Sequence, residues 1–233
     1  MGSKISGKSN YVVWGTILSI ALLLISVNVI AFDLNHYKKS FVKYDATRTT
    51  GIDNKSLEHI IKDVLKYLED DREELDTKAI IEGETGEVFG SREKLHMVDV
   101  KELFLKGKIL RDISLVSLIV MTLFLIKRDR YWKKSISGTL LYTSVINMLF
   151  LFILLLLVKI NSDECFTHFH VIFFDNDLWK LNPDADILVQ MLPESFFYNT
   201  AARIASYFAI SLTVFGLLGL AGLYFLNRIQ DQT

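Results

Sequence analysis

Two histidines far apart along the chain are the residues best suited to acid–base chemistry. His96 is followed three positions later by Asp99, so on a helix a carboxylate would lie one turn from the imidazole, where it could orient the ring and stabilise its protonated form. The simpler interpretation is a histidine at a helix start that hydrogen-bonds only to nearby backbone. His170 belongs to the stretch 166–197, which lies between two strongly apolar segments.

The stretch 166–197 combines aromatic rings with histidines, acids and amides. Rings beside a few polar groups are typical of a membrane–water boundary, where one side of a residue meets lipid and the other meets water. We therefore expect one half of an active site here. Its aromatic residues are Phe166, Phe169, Phe173, Phe174, Trp179, Phe196 and Phe197.

The pair His168 and His170 is open to two interpretations. On a strand the two rings would share a face, whereas on a helix they would diverge. With His96 or Asp99 the pair could hold a metal ion, but the spacing departs from the common zinc motifs. We expect no metal and no cofactor; a metal-dependent membrane hydrolase stays an alternative, which loss of activity on chelation would favour.

Other reactive residues in this region carry weaker signals. Cys165 could act as a thiolate with a neighbouring histidine, although a lone cysteine near a membrane is more often inert. Ser195 is not within a Gly-x-Ser-x-Gly sequence, which disfavours a serine hydrolase. The acids depart from the spacing of a calcium-binding loop, so we expect them to build turns; they are Asp175, Asp177, Asp184 and Asp186.

The composition is too apolar for an ordinary soluble domain, with 51% hydrophobic residues and a mean hydropathy of +0.31. The net charge of −1 gives no indication of a nucleic-acid surface. The first apolar run follows Lys4 and Lys8 as a signal peptide would. It is longer than a typical signal sequence and lacks a good cleavage site, so we expect a retained membrane helix.

Four apolar segments predict transmembrane helices, since about 20 residues cross a ~30 Å hydrocarbon core. In the second segment the uncharged run 113–126 is short for a span, so we expect Leu110, Arg111 and Asp112 to lie in the headgroup region. In the third, Asn147 predicts a hydrogen bond to another helix. In the fourth, Gly216, Gly219 and Gly222 predict the close approach of a neighbouring helix. The predicted spans are 11–32, 109–126, 138–160 and 201–226.

The polar segment 33–108 predicts a small folded domain. Apolar residues at helical spacing indicate an amphipathic helix over 53–69 that Asp53 or Asn54 can cap. A short hairpin is predicted from strands at 78–82 and 88–89 around a turn at 84–87. The apolar positions of the helix are Leu57, Ile60, Ile61, Val64, Leu65 and Leu68.

The distribution of cations predicts the topology. The loop 127–137 carries five lysines and arginines, whereas the loop 161–200 has only Lys180. Because short cytoplasmic loops are rich in cations, we expect both termini in the cytoplasm, with 33–108 and 161–200 outside. The fold class is thus a mainly α membrane protein, with four transmembrane helices and a small extracytoplasmic α+β cap. His96 and His170 then lie on the same side of the membrane.

The candidate residues fall within three motifs. They are Leu95-His96-Met-x-Asp99-Val, the long motif that begins at Phe166 and includes His170, Asn176, Trp179, Pro183 and Asp186, and Leu192-Pro-Glu-x-Phe-Phe197. Together these motifs resemble one family of four-helix bacterial membrane proteins, the lipoprotein intramolecular transacylases. The resemblance extends over essentially the whole chain, including the order of the spans.

The resemblance implies an acyltransferase of the bacterial cell membrane whose partners are membrane lipid and a diacylglyceryl-modified lipoprotein. Such enzymes move the sn-2 acyl chain onto the α-amine of the lipoprotein's N-terminal cysteine and leave a lyso-form product. The family's two motif histidines fall on His96 and His170, whereas His168 is not a motif position. Among the other motif residues, Asp99 is a supporting candidate.

The chemistry of the residues agrees with this implication. An α-amine with a pKa of roughly 7.7–8.0 must lose a proton before it attacks an ester. One histidine can accept that proton and a second can protonate the departing glycerol oxygen, so we expect His96 and His170 to act as an acid–base pair. Amine and ester belong to one molecule, so positioning them supplies much of the rate. The tetrahedral oxyanion needs donors, for which Asn176 and the Trp179 indole are candidates. The acyl-chain or interface candidates are Phe169, Phe173, Phe174 and Phe197.

A function of a different class stays open. The segment 33–108 is larger than a catalytic cap requires, which would suit a non-catalytic membrane assembly or sensor protein with an external binding domain. Co-purification of a stoichiometric partner, with unchanged lipoproteins on deletion, would favour that alternative.

Overall fold

The computed structural model describes residues 2–81, 84–160 and 162–230. Helices form most of it, and two short strands form one hairpin. The elements in chain order are α1 (Gly2–Ala31), α2 (Leu34–Lys43), α3 (Ala46–Thr50), α4 (Asn54–Leu68), β1 (Lys78–Ile81), β2 (Glu84–Glu87), α5 (Ser91–Arg128), α6 (Trp132–Ile160), α7 (Ser162–Phe173), α8 (Ile187–Met191) and α9 (Glu194–Gln230).

Four helices in the described part of the chain are long and apolar enough to cross a membrane, which confirms the predicted fold class. They are Lys8–Ala31, Ser91–Arg128, Trp132–Ile160 and Glu194–Ile229. At 1.5 Å per residue, α5 extends about 57 Å, nearly twice the ~30 Å of a hydrocarbon core. Only part of α5 can therefore lie in hydrocarbon.

Internal contacts divide the described residues into two compact units. One takes its residues from 1–27, 109–160 and 204–233, and the other takes them from 28–108 and 161–203. The first turns of α5, which carry His96, belong to the second unit, and the apolar remainder of α5 belongs to the first.

The first unit is held together by an apolar core and by a few polar contacts between its helices. Its largest buried residues include Trp14, Phe208 and Leu212. Asn147 donates to the Ser19 hydroxyl at 2.8 Å, which gives this intramembrane amide the partner on another helix that the sequence predicts.

Glycines allow α9 to approach α6 closely within the first unit. A Cβ atom at Gly219 would lie 2.6 Å from the Ser137 carbonyl oxygen, and one at Gly222 would lie 2.3 Å from the Ser137 hydroxyl. Gly216 likewise faces Ser144, whose Cβ would be 3.0 Å away. The predicted close approach is confirmed, since any side chain would force these helices apart.

The second unit has its own apolar core, built around α4. Asp53 caps this helix by accepting hydrogen bonds from the amides of Lys55 and Ser56. All six predicted apolar positions of α4 are buried, and they pack with Phe41, Phe89, Met97, Met191 and Phe196. The amphipathic face therefore packs against protein, as expected for a folded domain, and not against lipid.

The hairpin of the second unit differs in register from the sequence prediction. Residues 84–87, expected to form the turn, are strand β2, which pairs with β1 so that Lys78 faces Glu87 and Ile80 faces Thr85. The expected second strand, Val88–Phe89, instead follows β2, and both its side chains are buried in the core. Burying these two apolar side chains in the core is favourable, and 84–87 pairs with β1 instead.

Candidate active site

Two helices of the second unit bring the candidate histidines together. His96 lies in the second turn of α5, and His170 lies near the end of α7. Their ring centroids are 6.2 Å apart, and the side chains are only 8% and 7% exposed. The sequence predicts that both belong to one site, and the second unit contains them as neighbours.

His170 has a defined tautomer. Its Nδ1 lies 2.8 Å from the carbonyl oxygen of Phe166, one turn earlier on α7. A carbonyl can only accept, so Nδ1 carries the hydrogen, and in the neutral ring Nε2 keeps its lone pair. Trp179 stacks on the ring with centroids 4.7 Å apart, and Phe166 contacts it at 4.3 Å. The orientation of His170 is therefore fixed by one hydrogen bond and two aromatic contacts.

His96 is in a different state. Its Nδ1 is the single buried side-chain nitrogen or oxygen, in the described part of the chain, that has no hydrogen-bond partner. Leaving such an atom unpaired costs about 1–3 kcal/mol, so it stands out in a folded core. Phe174 meets the ring edge to face at 5.3 Å. A ligand atom that hydrogen-bonds to His96 would remove this cost.

Burial keeps both imidazoles neutral near pH 7. It lowers the pKa of His96 to about 4, helped by the positive charge that His170 can carry and opposed by Asp99. Burial also lowers the pKa of His170, but the Phe166 carbonyl and the Glu194 carboxylate oppose this shift. Of the two, His170 has the surroundings better suited to accepting a proton.

Asp99 does not hydrogen-bond to His96. Its Oδ2 accepts a hydrogen bond of 2.9 Å from the Asn176 side-chain amide, and Asn176 Oδ1 in turn accepts one from the Leu178 backbone amide at 2.9 Å. Arg92 donates to the Asp177 carbonyl in the same region. Asp99 and Asn176 thus join α5 to the loop that carries Trp179.

The aromatic candidates differ in exposure. Phe174 is buried against both histidines. Phe169, Phe173 and Phe197 are between 41% and 50% exposed, and Phe169 lies 5.4 Å from the His170 ring. These three side chains give the surroundings of the pair an accessible apolar surface.

The helical conformation of α7 separates His168 from His170, as the sequence predicts for a helix. His168 is exposed, and its Nδ1 bonds to the Glu164 carbonyl at 2.6 Å. Over the residues that the structure describes, no three His, Cys, Asp or Glu side chains are grouped so as to hold a metal ion. Of the loop acids, Asp186 accepts from the Asn182 amide at 2.6 Å, as expected for a residue that builds a turn, whereas Asp177 pairs with Lys180.

Sequence reasoning missed two contributors to this site. The Phe166 carbonyl sets the tautomer of His170, and a spacing of four residues would have pointed to it only once this segment was known to be a helix. Glu194 acts electrostatically on His170 and accepts a hydrogen bond from the Tyr198 hydroxyl. In the sequence, Glu194 is an acid of the third motif, and nothing there indicates that it acts on His170.

The comparisons with known proteins agree on one family. Residues 12–197 match the family described as lipoprotein intramolecular transacylase Lit. The structure of the membrane-integral lipoprotein intramolecular transacylase Lit from Bacillus cereus is similar with a TM-score of 0.78 and 18% identity, over 99% of this chain and 100% of that one. None of the curated protein sequences matches.

Two variants of the Bacillus cereus protein also match. The one with a histidine-to-arginine substitution has a TM-score of 0.76 and 17% identity, over 99% of this chain and 96% of that one. The one with a histidine-to-alanine substitution has a TM-score of 0.75 and 17% identity, over 99% and 97%. At this identity the structures show a shared fold, and the family match covers most of the chain. This protein is therefore a multi-pass membrane acyltransferase that belongs to the lipoprotein intramolecular transacylase family.

Proposed function

We propose that this protein moves the sn-2 acyl chain of an S-diacylglyceryl lipoprotein onto the α-amine of the same N-terminal cysteine, with His96 and His170 as the catalytic residues. The observation that carries the proposal is the pairing of a histidine whose tautomer is fixed with one whose Nδ1 is buried and unpartnered, at a ring separation of 6.2 Å. Membership of the family supplies the class of substrate.

His170 is the base in this proposal. Its Nε2 lone pair accepts a proton from the α-amine while the amine nitrogen attacks the sn-2 ester carbonyl and a C–N bond forms. The C–O bond to glycerol then breaks, and the imidazolium returns the proton to the departing oxygen. The stacked Trp179 and the Phe166 carbonyl keep the ring in place through both transfers, and Glu194 stabilises the imidazolium.

His96 is the hydrogen-bond partner of the reacting carbonyl. A ring with a pKa of about 4 stays neutral at pH 7, so one of its nitrogens carries a hydrogen and can donate to the oxyanion. A buried donor in a dry site stabilises a developing charge more than water would. The unpartnered Nδ1 is the atom that gains most from this contact.

Asp99 and Asn176 act as supporting residues, because their mutual bond holds α5 against the loop of Trp179. Trp179 and backbone amides stay candidates for further oxyanion donors. The two histidines are mostly buried, so the ester reaches them only where side chains move aside. The half-exposed rings of Phe169, Phe173 and Phe197 are suited to this movement and to contact with acyl chains.

We place the reaction at the outer face of the bacterial cell membrane. The cations of the loop 127–137 and their scarcity in 161–200 support an external site with both termini in the cytoplasm. Helix α7 begins two residues after α6 ends, and it exposes Phe169, Ile172 and Phe173. An exposed apolar face directly after a span is typical of a helix at the membrane–water interface.

The test uses purified protein and a synthetic S-diacylglyceryl lipopeptide with a free N-terminal amine. Mass spectrometry distinguishes the N-acylated lyso product, which has the same mass as the substrate, by its fragment ions. We expect product with the unaltered protein and at least 100-fold less with His96→Ala and with His170→Ala, as is usual for loss of an acid–base or oxyanion group. Undiminished product from both variants would refute the assignment.

A further inference from the structure

Glu93 is a buried carboxylate that caps two helices at once. The residue is 2% exposed, Oε2 accepts a hydrogen bond of 2.7 Å from the Gly90 amide, and Oε1 accepts one of 2.6 Å from the Leu188 amide. Gly90 is the N-cap of α5, since its carbonyl receives the first helical hydrogen bond, from Lys94. Both carboxylate oxygens are therefore committed to backbone amides at helix starts.

The bond to Leu188 replaces a cap that α8 does not make for itself. The N-cap residue Asp186 has no side-chain capping bond, because its carboxylate accepts from the Asn182 amide instead. The first amides of a helix have no partner within the helix. Glu93 reaches one of them from a point far away in the sequence, so the bond joins α5 to the 174–192 segment.

Glu93 also has a particular position relative to His96. On α5, Glu93 lies three residues before His96 and Asp99 lies three residues after it, so each is about one turn from the histidine. Asp99 is tied to Asn176, and Glu93 is tied to Leu188. His96 is thus placed between two polar ties to the segment whose Trp179 stacks on His170.

Burying this carboxylate has a cost that an ordinary cap at a surface does not have. Burial raises the pKa of Glu93, and the two amide hydrogen bonds oppose that shift. Asp186 adds a repulsive charge. Glu93 lies one turn before His96 and makes two directional hydrogen bonds to backbone amides. These bonds restrict the position of His96.

We propose that Glu93 is a positioning residue, which holds His96 at the correct distance from His170 by joining the start of α5 to the 174–192 segment. The inference rests on the proposed transacylase function. Glu93 itself touches no reacting atom; its effect passes through the placement of His96. A misplacement of about 1 Å in an active site costs about 100-fold in rate.

The test compares Glu93→Gln with Glu87→Gln in the lipopeptide assay. Glu87 is exposed and pairs with Lys94 on the first turns of α5. Glu87→Gln therefore makes the same glutamate-to-glutamine change at another residue that contacts this helix. In Glu93→Gln an amide NH₂ group faces a backbone donor, so one of the two bonds is lost. We expect kcat to fall about 10- to 100-fold with KM within about 3-fold, and no change for Glu87→Gln.

A second readout separates positioning from loss of folded protein. A displaced His96 is less buried, so its pKa should rise from about 4 towards the ordinary 6.5. NMR of isotope-labelled imidazole measures this pKa. The charged groups that act on this ring are His170 and Asp99, and neither is changed in the variant. Glu93→Asp, whose shorter side chain can reach one amide only, also loses one of the two bonds and should show the same changes.

The outcomes distinguish the two proposals. If the unaltered protein makes no lyso product, the proposed function fails. If His96→Ala is inactive while Glu93→Gln keeps the unaltered kcat and His96 titration, the function stands and the positioning role is overturned. Loss of folded protein in both Glu93→Gln and Glu93→Asp would overturn it as well, because it would assign the carboxylate to fold stability alone.

Discussion

The rings of His96 and His170 lie 6.2 Å apart, and the two have opposite hydrogen-bonding states: Nδ1 of His170 is tied to a backbone carbonyl, whereas Nδ1 of His96 is buried without a partner among the described residues. A symmetric acid–base pair would not need this difference. It favours separate roles, with His170 carrying the proton and His96 contacting the carbonyl oxygen.

The separate roles predict an asymmetric response to glutamine. His96→Gln keeps an N–H donor, so it should be at least 10-fold more active than His96→Ala. His170→Gln has no basic nitrogen and should be as inactive as His170→Ala. The measurement is the rate of lyso-product formation at pH 7, compared among the four variants. Equal losses from His96→Gln and His96→Ala would contradict the donor role.

Stability should fall in acid, because His96 is buried in its neutral form. Its pKa is about 4 in the folded protein and about 6.5 when unfolded, so the unfolded chain binds the proton more readily below pH 6.5. Stability is therefore unaffected by this group above about pH 7, and about 2 kcal/mol is lost between pH 7 and pH 5. The lowered pKa of His170 acts in the same direction.

Thermal unfolding in detergent between pH 7 and pH 5 checks this prediction. The melting temperature of His96→Gln should vary less with pH than that of the unaltered protein. His168→Gln is the matched control, since His168 is an exposed neighbour on α7. A pH dependence that is the same in all three proteins would show that His96 does not contribute.

Trp179 should matter through the orientation of His170. Its ring stacks on the imidazole at 4.7 Å, and such aromatic contacts contribute about 0.5–1.5 kcal/mol. We expect Trp179→Phe to lose less than about 10-fold in kcat and Trp179→Ala to lose about 10- to 100-fold. If Trp179→Phe is as impaired as Trp179→Ala, the indole N–H is required, which would favour the oxyanion-donor candidate over stacking.

Close packing of α9 against α6 should make Gly219 intolerant of a side chain. A Cβ there would lie 2.6 Å from a carbonyl oxygen of the α6 backbone, which cannot rotate away. Gly219→Ala should cost about 1–3 kcal/mol and lower the melting temperature. Gly138→Ala is the control, because a Cβ at Gly138 meets nothing within 4 Å and alanine favours the helix. Equal melting temperatures for the two variants would contradict the packing argument.

Much of the architecture could be predicted because it follows from local patterns. The four spans depend on runs of apolar residues, and the buried face of α4 depends on spacing along one helix. The hairpin register could not be predicted, since the burial of Val88 and Phe89 depends on a core assembled from distant segments. The same holds for Glu93, whose second hydrogen bond goes to Leu188.

The sequence by itself determined the membrane fold and the family and named the two candidate histidines, because apolar length, charge distribution and motif residues are all carried by the order of the amino acids. The tertiary structure decided what each histidine can do. Tautomer, burial and an unpaired nitrogen depend on which groups from distant segments surround each ring, and no spacing along the chain specifies those neighbours.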